Sequence, residues 1–193
     1  MATLTVIENL SLDGVMQAPG RPDEDERDGF AHGGWAIPYN DEVLGRTMGE
    51  HMARDSALLF GRRTYEDFAG FWPRQTDNPF TAALEARTKY VVSGTLAEPL
   101  AWANSTLLRG DAAEAVAGLK AGTGPDLVAM GSGELVRALA AHGLVDEYLL
   151  LVHPLVLGSG RRLFPDRGPR QDLRLVDSVT TSTGVTVATL APR

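Results

Sequence analysis

Ala57-Leu58-Leu59-Phe60-Gly61-Arg62-Arg63-Thr64-Tyr65-Glu66 is the stretch that decides the fold. Four apolar residues without alternation read as a strand buried on both faces, as in parallel sheets covered by helices. The run passes straight into Gly61-Arg62-Arg63-Thr64 and a short helix predicted to about Phe71. Where a strand gives way to a helix, the helix's first amides and its positive dipole end favour an anion. The guanidiniums of Arg62 and Arg63 suit a phosphate, because they pair bidentately with its oxygens. An isolated Arg-Arg pair is more often a solvated surface charge.

The same order recurs downstream. Asp126–Met130 reads as a strand, Gly131-Ser132-Gly133 as its turn and Gly133–His142 as the following helix. Each turn alone is also an ordinary tight connection. Together, at equivalent ends of two strands, they fit a diphosphate, and a dinucleotide is the natural ligand of that kind. A third turn, Ser93-Gly94-Thr95, follows the strand Lys89–Ser93. Its hydroxyls can bond a ribose or a 2′-phosphate, with Arg62 or Arg63 as countercharge, or can serve a plain β-turn. Gly158-Ser159-Gly160-Arg161-Arg162 reads chiefly as a chain turn, with an anion site as the alternative.

The rest of the chain extends this pattern. Leu4–Leu10 is β-prone and ends at Ser11-Leu12-Asp13-Gly14, a turn signal. Residues 15–38 carry no periodicity, and an irregular stretch longer than about 15 residues predicts a functional lid. Asn40 or Asp41 caps a helix with Leu44, Met48 and Met52 at every fourth position. Pro79–Ala86 and Ala112–Lys120 read as helices, Ser105–Leu108 and Asp146–His153 as strands. Leu173–Thr181 and Val185–Leu190, joined by Ser182-Thr183-Gly184, form a closing hairpin. The expected fold class is α/β, with helices on both faces of a mainly parallel, mixed sheet and an antiparallel C-terminal hairpin. One domain, 1–193, is expected, with no repeat or linker.

Bulk properties exclude several functions. A net charge of −7 argues against binding nucleic acid, which needs clustered Lys and Arg. The absence of cysteine removes disulfides, thiolate metal sites and cysteine nucleophiles, and no metal site is expected. The first residues lack a signal-peptide pattern, and no apolar run approaches the ~20 residues of a membrane span. A cytoplasmic location is the expectation. No Walker-type Gly-x-x-x-x-Gly-Lys-Ser/Thr occurs.

In this order the motifs resemble the dihydrofolate-reductase-like superfamily, and within it the riboflavin-biosynthesis pyrimidine reductase branch. The resemblance rests on Asn9-Leu10-Ser11-Leu12-Asp13-Gly14, Leu58-Leu59-Phe60-Gly61-Arg62-Arg63-Thr64-Tyr65-Glu66 and Met130-Gly131-Ser132-Gly133-Glu134-Leu135. It continues through Val145-Asp146-Glu147-Tyr148 to Pro154-Leu155-Val156-Leu157-Gly158-Ser159-Gly160. It implies a three-layer α/β/α domain that uses NADPH as hydride donor, and a homodimer as in many members of that branch. By the same likeness, Gly61, Arg62, Arg63 and Thr64 hold cofactor phosphates. Gly131, Ser132, Gly133, Glu134 and Leu135 hold the diphosphate from the other side, and Ser93 and Thr95 lie by the adenosine ribose. Asp13-Gly14-Val15 would border the nicotinamide.

Two departures bear on substrate. Dihydrofolate reductases place a carboxylate on the first helix, and the matching position falls near Gly45. A threonine on the long strand is replaced by Leu151. Both argue against a pterin and favour a pyrimidine intermediate or another small heterocycle or imine, with dihydrofolate-reductase-type activity on a pterin and a non-catalytic nucleotide-binding protein on the same fold as the alternatives. The zinc deaminase often fused in that pathway needs a Pro-Cys-x-x-Cys that this chain lacks. Candidates for the proton source are Asp13, Asp41 and His153, with Glu42 and His32 behind them, or bound water. Trp35 can stack on a planar substrate, and Met48 belongs to the helix face where specificity is expected.

Overall fold

Strands and helices alternate along the chain as the hydrophobic pattern requires. The computed structural model describes residues 1–76, 78–166 and 168–193. Its strands are β1 (Leu4–Ser11), β2 (Ser56–Gly61), β3 (Lys89–Val92), β4 (Ser105–Leu108), β5 (Asp126–Met130), β6 (Glu147–His153), β7 (Leu173–Thr180) and β8 (Thr186–Pro192). Its helices are α1 (Glu42–Met52), α2 (Arg62–Phe71), α3 (Pro79–Ala86), α4 (Ala112–Ala121) and α5 (Gly133–Ala141). The strand order is β4-β3-β2-β5-β1-β6-β8-β7, a mixed sheet with the expected antiparallel C-terminal pair. Three short 3-10 turns, Arg27–Gly29, Ile37–Tyr39 and Trp72–Arg74, were not expected from the pattern. No helix is long and apolar enough to cross a membrane, among the described residues.

The chain divides into two compact units. The first comprises Met1–Thr5 and Met52–Asp146; the second comprises Val6–His51 and Glu147–Arg193.

In the first unit β4, β3, β2 and β5 run parallel. Leu58, Leu59 and Phe60 of β2 are fully buried, each contributing about 1.5–3 kcal/mol. Phe60 packs on Phe68 and lies near-parallel to Trp102. Beside them Lys89 is wholly buried, its Nζ donating to the carbonyls of Glu85, Arg87 and Ala103 at 3.1, 2.8 and 3.1 Å. The ammonium also lies 4.5 Å over the Trp102 ring, so burial is offset by three acceptors and a π face. Burial still pulls its pKa down to about 8. Local caps set the helix starts: Asn78 accepts from Phe80 N, and Asp111 from Ala113 N and Glu114 N.

In the second unit β6, β8 and β7 form an antiparallel array, with a bulge between Leu175 and Asp177. Residues 15–38 are not an open lid. Val15, Ala18, Phe30, Trp35 and Ala36 form a buried cluster with Leu155 and Leu157 against it. Gln17, itself buried, organises the stretch. Its Nε2 donates to the carbonyls of Asp25 and Arg27, both at 3.1 Å, and its Oε1 accepts from Arg161 N at 2.9 Å. Its own carbonyl accepts from Trp35 Nε1 at 2.7 Å. A long loop stays ordered when its polar backbone groups find partners of this kind. Gly160 has φ +115°, and a Cβ there would lie 2.6 Å from Val15 Cγ1 and 2.7 Å from Phe30 Cε2. Only glycine fits. Arg161 pairs with Asp28, and Arg162 with Asp13 and Asp166, so this turn serves the fold.

Candidate functional site

In the first unit, three turns come together at the carboxyl edge of neighbouring strands. The β2/β3 register sets Gly61 opposite Val92, immediately before Ser93. The β2/β5 register sets Leu59 opposite Ala129, and two residues further it brings Gly61 level with Gly131. Ser132 Oγ accepts from Gly61 N at 2.9 Å, and Thr64 Oγ1 accepts from Ser132 N at 3.0 Å. The two phosphate-competent turns are therefore laced to each other. The lacing consumes the amides of Gly61 and Ser132, so an anion at this edge would meet the first turns of α2 and α5 instead. Those are the amides of Arg62, Arg63 and Thr64, and of Gly133, Glu134 and Leu135, which a helix provides with no carbonyl of its own.

Gly131 and Ser132 are both left-handed, each with φ +61°. For serine that conformation costs on the order of 1 kcal/mol. The two lacing hydrogen bonds hold it at the start of α5. A Cβ on Gly131 would lie 3.0 Å from Thr64 Cγ2, so glycine is required for the turns to approach this closely.

Arg62 pairs with Glu66 at 2.8 Å, and Arg63 with Glu134 at 3.7 Å. These are solvated pairs worth about 0–1 kcal/mol. Ser93 is buried and Thr95 exposed; Ser93 Oγ accepts from the amides of Thr95 and Leu96, both at 3.1 Å. The hydroxyl of Ser93 thus shapes its own turn, and Thr95 faces solvent. Arg109, which the sequence reading passed over, follows β4 at the same edge and donates to Leu96 O at 3.1 Å. A lone arginine after a short strand offers no sequence signal; only the β3/β4 register reveals it.

The second unit holds the other candidates. Asp13 accepts from Ser11 Oγ at 2.7 Å, Leu157 N at 3.1 Å and Gly158 N at 2.9 Å. These bonds, the Ser11 hydroxyl foremost, lower its pKa to about 2. Asp41 caps α1 through Leu44 N at 2.8 Å and ties down the hairpin turn through Ser182 N, Ser182 Oγ and Thr183 N. The same donors, led by the Ser182 hydroxyl, lower its pKa to about 2. Glu42 and His32 are exposed, and Met48 is half-buried on α1.

His153 lies with no exposed surface at the end of β6. Its Nε2 is 2.9 Å from Asn9 Oδ1, and Trp35 and Tyr39 meet its ring edge-on at centroid distances of 5.1 and 5.4 Å. Nδ1 is buried with no hydrogen-bond partner among the described residues. Burial pulls the imidazole pKa down to about 4, so it is neutral at physiological pH. Of the residues predicted for this side, the fold joins His153 and Trp35, while Asp13 and Asp41 are engaged elsewhere. Asn9 and Tyr39 were missed. Asn9 left one trace, a polar residue inside an apolar strand.

With this geometry in place, the relatives are informative. The family model of the RibD C-terminal domain matches residues 2–187. The chain belongs to the RibD C-terminal domain family. It is 31% identical over 170 residues to the Bacillus subtilis (strain 168) protein "Uncharacterized protein YyaP", covering 82% of this chain and 86% of that one. Two solved structures share its fold. One is a putative riboflavin biosynthesis protein from Shewanella sp. PV-4, with TM-score 0.70, 21% identity, and 100% and 99% of the two chains covered. The other is a pyrimidine reductase-like protein from Corynebacterium diphtheriae, with TM-score 0.65, 12% identity, and 100% and 92% covered. The α/β fold and the reductase-like family expected from the motifs are both met.

Proposed function

We propose that the chain is an NADPH-dependent reductase acting on a small heterocyclic or imine substrate, most closely of the pyrimidine reductase kind. The observation that carries this reading is the alignment of Gly61–Thr64, Ser93–Thr95 and Gly131–Leu135 along one strand edge. The first-turn amides of α2 and α5 suit a diphosphate, and Arg62, Arg63 and Arg109 supply countercharge for a 2′-phosphate. NADPH would supply hydride; the protein binds, orients and excludes competing reactions.

Asp13 and Asp41 are held ionised by their hydrogen bonds, and His153 is neutral, so none is a ready acid at neutral pH. We assign the proton to water. A pterin substrate is disfavoured, because Gly45 is exposed and offers no carboxylate, and Asp41 is committed to its cap and to the hairpin.

Fluorescence titration with NADPH and with NADH tests the reading. Binding of NADPH at micromolar concentration or below, with weaker NADH, is expected. No binding of either nucleotide overturns it. Binding without oxidation across a panel of pyrimidines and pterins would favour a nucleotide-binding protein without turnover.

A further inference from the structure

Residues 93–104 join β3 to β4, two parallel neighbours, and hold no helix. Parallel strands usually cross over through a helix, and irregular connections of this length are usually functional. The shape of this crossover therefore depends on side chains. At its start Ser93 Oγ accepts from the amides of Thr95 and Leu96, and Leu96 O accepts from Arg109. Of residues 94–104, all of them described, Trp102 alone is buried. Its backbone N–H donates to the Tyr65 hydroxyl at 2.8 Å, and its indole N–H to Glu85 Oε1 at 2.7 Å. The ring lies near-parallel to Phe60 with centroids 6.4 Å apart, and the Lys89 ammonium is 4.5 Å from its centroid. Trp102 is thus gripped from two helices. Tyr65 stands on α2 directly after Thr64, and Glu85 stands on α3. A buried indole with both of its N–H groups spent has one orientation, and it fixes the backbone that carries it.

We propose that Trp102 is a positioning residue for the cofactor. It ties the crossover to α2, so that the Ser93–Thr95 turn and the first turn of α2 are presented to one dinucleotide at a set spacing. This deepens the reductase reading, on which it rests, by naming what holds the two turns in step. A ligand that touches both turns gains from the spacing; a ligand that touches only the helix starts does not. Once the grip is lost, binding must itself order the crossover, and affinity falls.

The test compares two ligands on the full chain. Adenosine 2′,5′-bisphosphate spans both turns and is titrated by calorimetry. Inorganic pyrophosphate needs only the first turns of α2 and α5 and is titrated by ³¹P NMR. Tyr65→Phe removes the acceptor of the Trp102 amide and keeps the ring. It is expected to weaken adenosine 2′,5′-bisphosphate and NADPH about tenfold, and to leave pyrophosphate within about twofold of wild type. Glu85→Leu, which removes the indole's acceptor, should do the same. Glu85→Gln, which keeps an oxygen there, should restore wild-type affinity. Amide exchange of residues 94–101 should quicken in Tyr65→Phe and Glu85→Leu, while Ala113 and Glu114, capped by Asp111, keep their rates. Two variants on different helices keep the test decisive if one does not fold. Wild-type affinity of the variants for adenosine 2′,5′-bisphosphate, or an equal loss for both ligands, overturns the inference. So does failure of the wild-type chain to bind either ligand. The NADPH titration separates the two claims. A chain that loses adenosine 2′,5′-bisphosphate selectively in Tyr65→Phe but binds no nicotinamide keeps this positioning role and loses the reductase reading. One that binds NADPH equally with and without the Tyr65 hydroxyl does the reverse.

Discussion

The two units close their loops by different means. In the unit built on β4-β3-β2-β5, caps are local: Ser93 and Asp111 accept from the amides two and three residues on, and Asn78 from the amide two on. The longer ties of this unit join the ends of elements: Ser132 to Gly61 and Thr64 over 71 and 68 residues, Thr3 to Asp126 over 123 and Leu4 to Asp146 over 142. In the unit built on β6-β8-β7, nearly every loop is held from far away. Asn9 to His153, Asp13 to Leu157 and Gln17 to Arg161 each span 144 residues, and Asp41 to Ser182 spans 141. A local cap forms cheaply wherever its turn forms. A distant tie must first overcome the entropy of closing a long loop, and it then holds two segments at once. The first arrangement yields repeated, independent turns; the second makes one interdependent network.

If that contrast is right, cutting the network should be more damaging than cutting the lacing. The largest effect is expected for Gly160→Val, which forces a branched side chain onto φ +115° and into Val15 and Phe30. A loss of about 4 kcal/mol or more should appear in urea unfolding. Gln17→Leu strands two carbonyls and the Arg161 amide, and about 3 kcal/mol should be lost by the same measurement. Asp13→Asn replaces an ionised acceptor of three bonds and should cost about 2 kcal/mol at pH 7. The sign with pH is fixed. The folded pKa of about 2 lies below the unfolded 3.8, so this stabilisation is complete above about pH 5. It fades as pH falls towards 2, and the gap between wild type and variant should close over that interval. The smallest effect is expected for Thr64→Val, which removes one acceptor, at about 1 kcal/mol. Its sharper readout is NADPH affinity, since Ser132 loses one of the two bonds holding its left-handed backbone.

The same contrast explains what the sequence could disclose. Ala57–Phe60 announces a doubly buried strand because burial on both faces leaves no room for alternation. Gly131-Ser132-Gly133 announces its turn because strand, glycine and helix follow one another directly. Elements of this sort are coded by neighbours. Gln17 is silent in the sequence, since the amide it holds lies 144 residues away. Asp13 carried two meanings, turn-former and acid, and only the arrival of Leu157 and Gly158 decides which donors surround it. The irregular stretch 15–38 looked like a lid because its order comes from Gln17 and from packing on Leu155 and Leu157, neither of which has a period.

Lys89 and Lys120 are the only two lysines in the chain, and both lie in the first unit. Lys89 is buried by three carbonyls and Trp102, and Lys120 by Leu144 O and Asp146. Every other basic side chain that carries a fixed charge is arginine, which amine reagents ignore. Acylation of the lysines therefore proceeds only as fast as the first unit opens. The pattern of modified peptides becomes a clock for that unit alone, with Lys89 timing exposure of the Trp102 core and Lys120 release of α4.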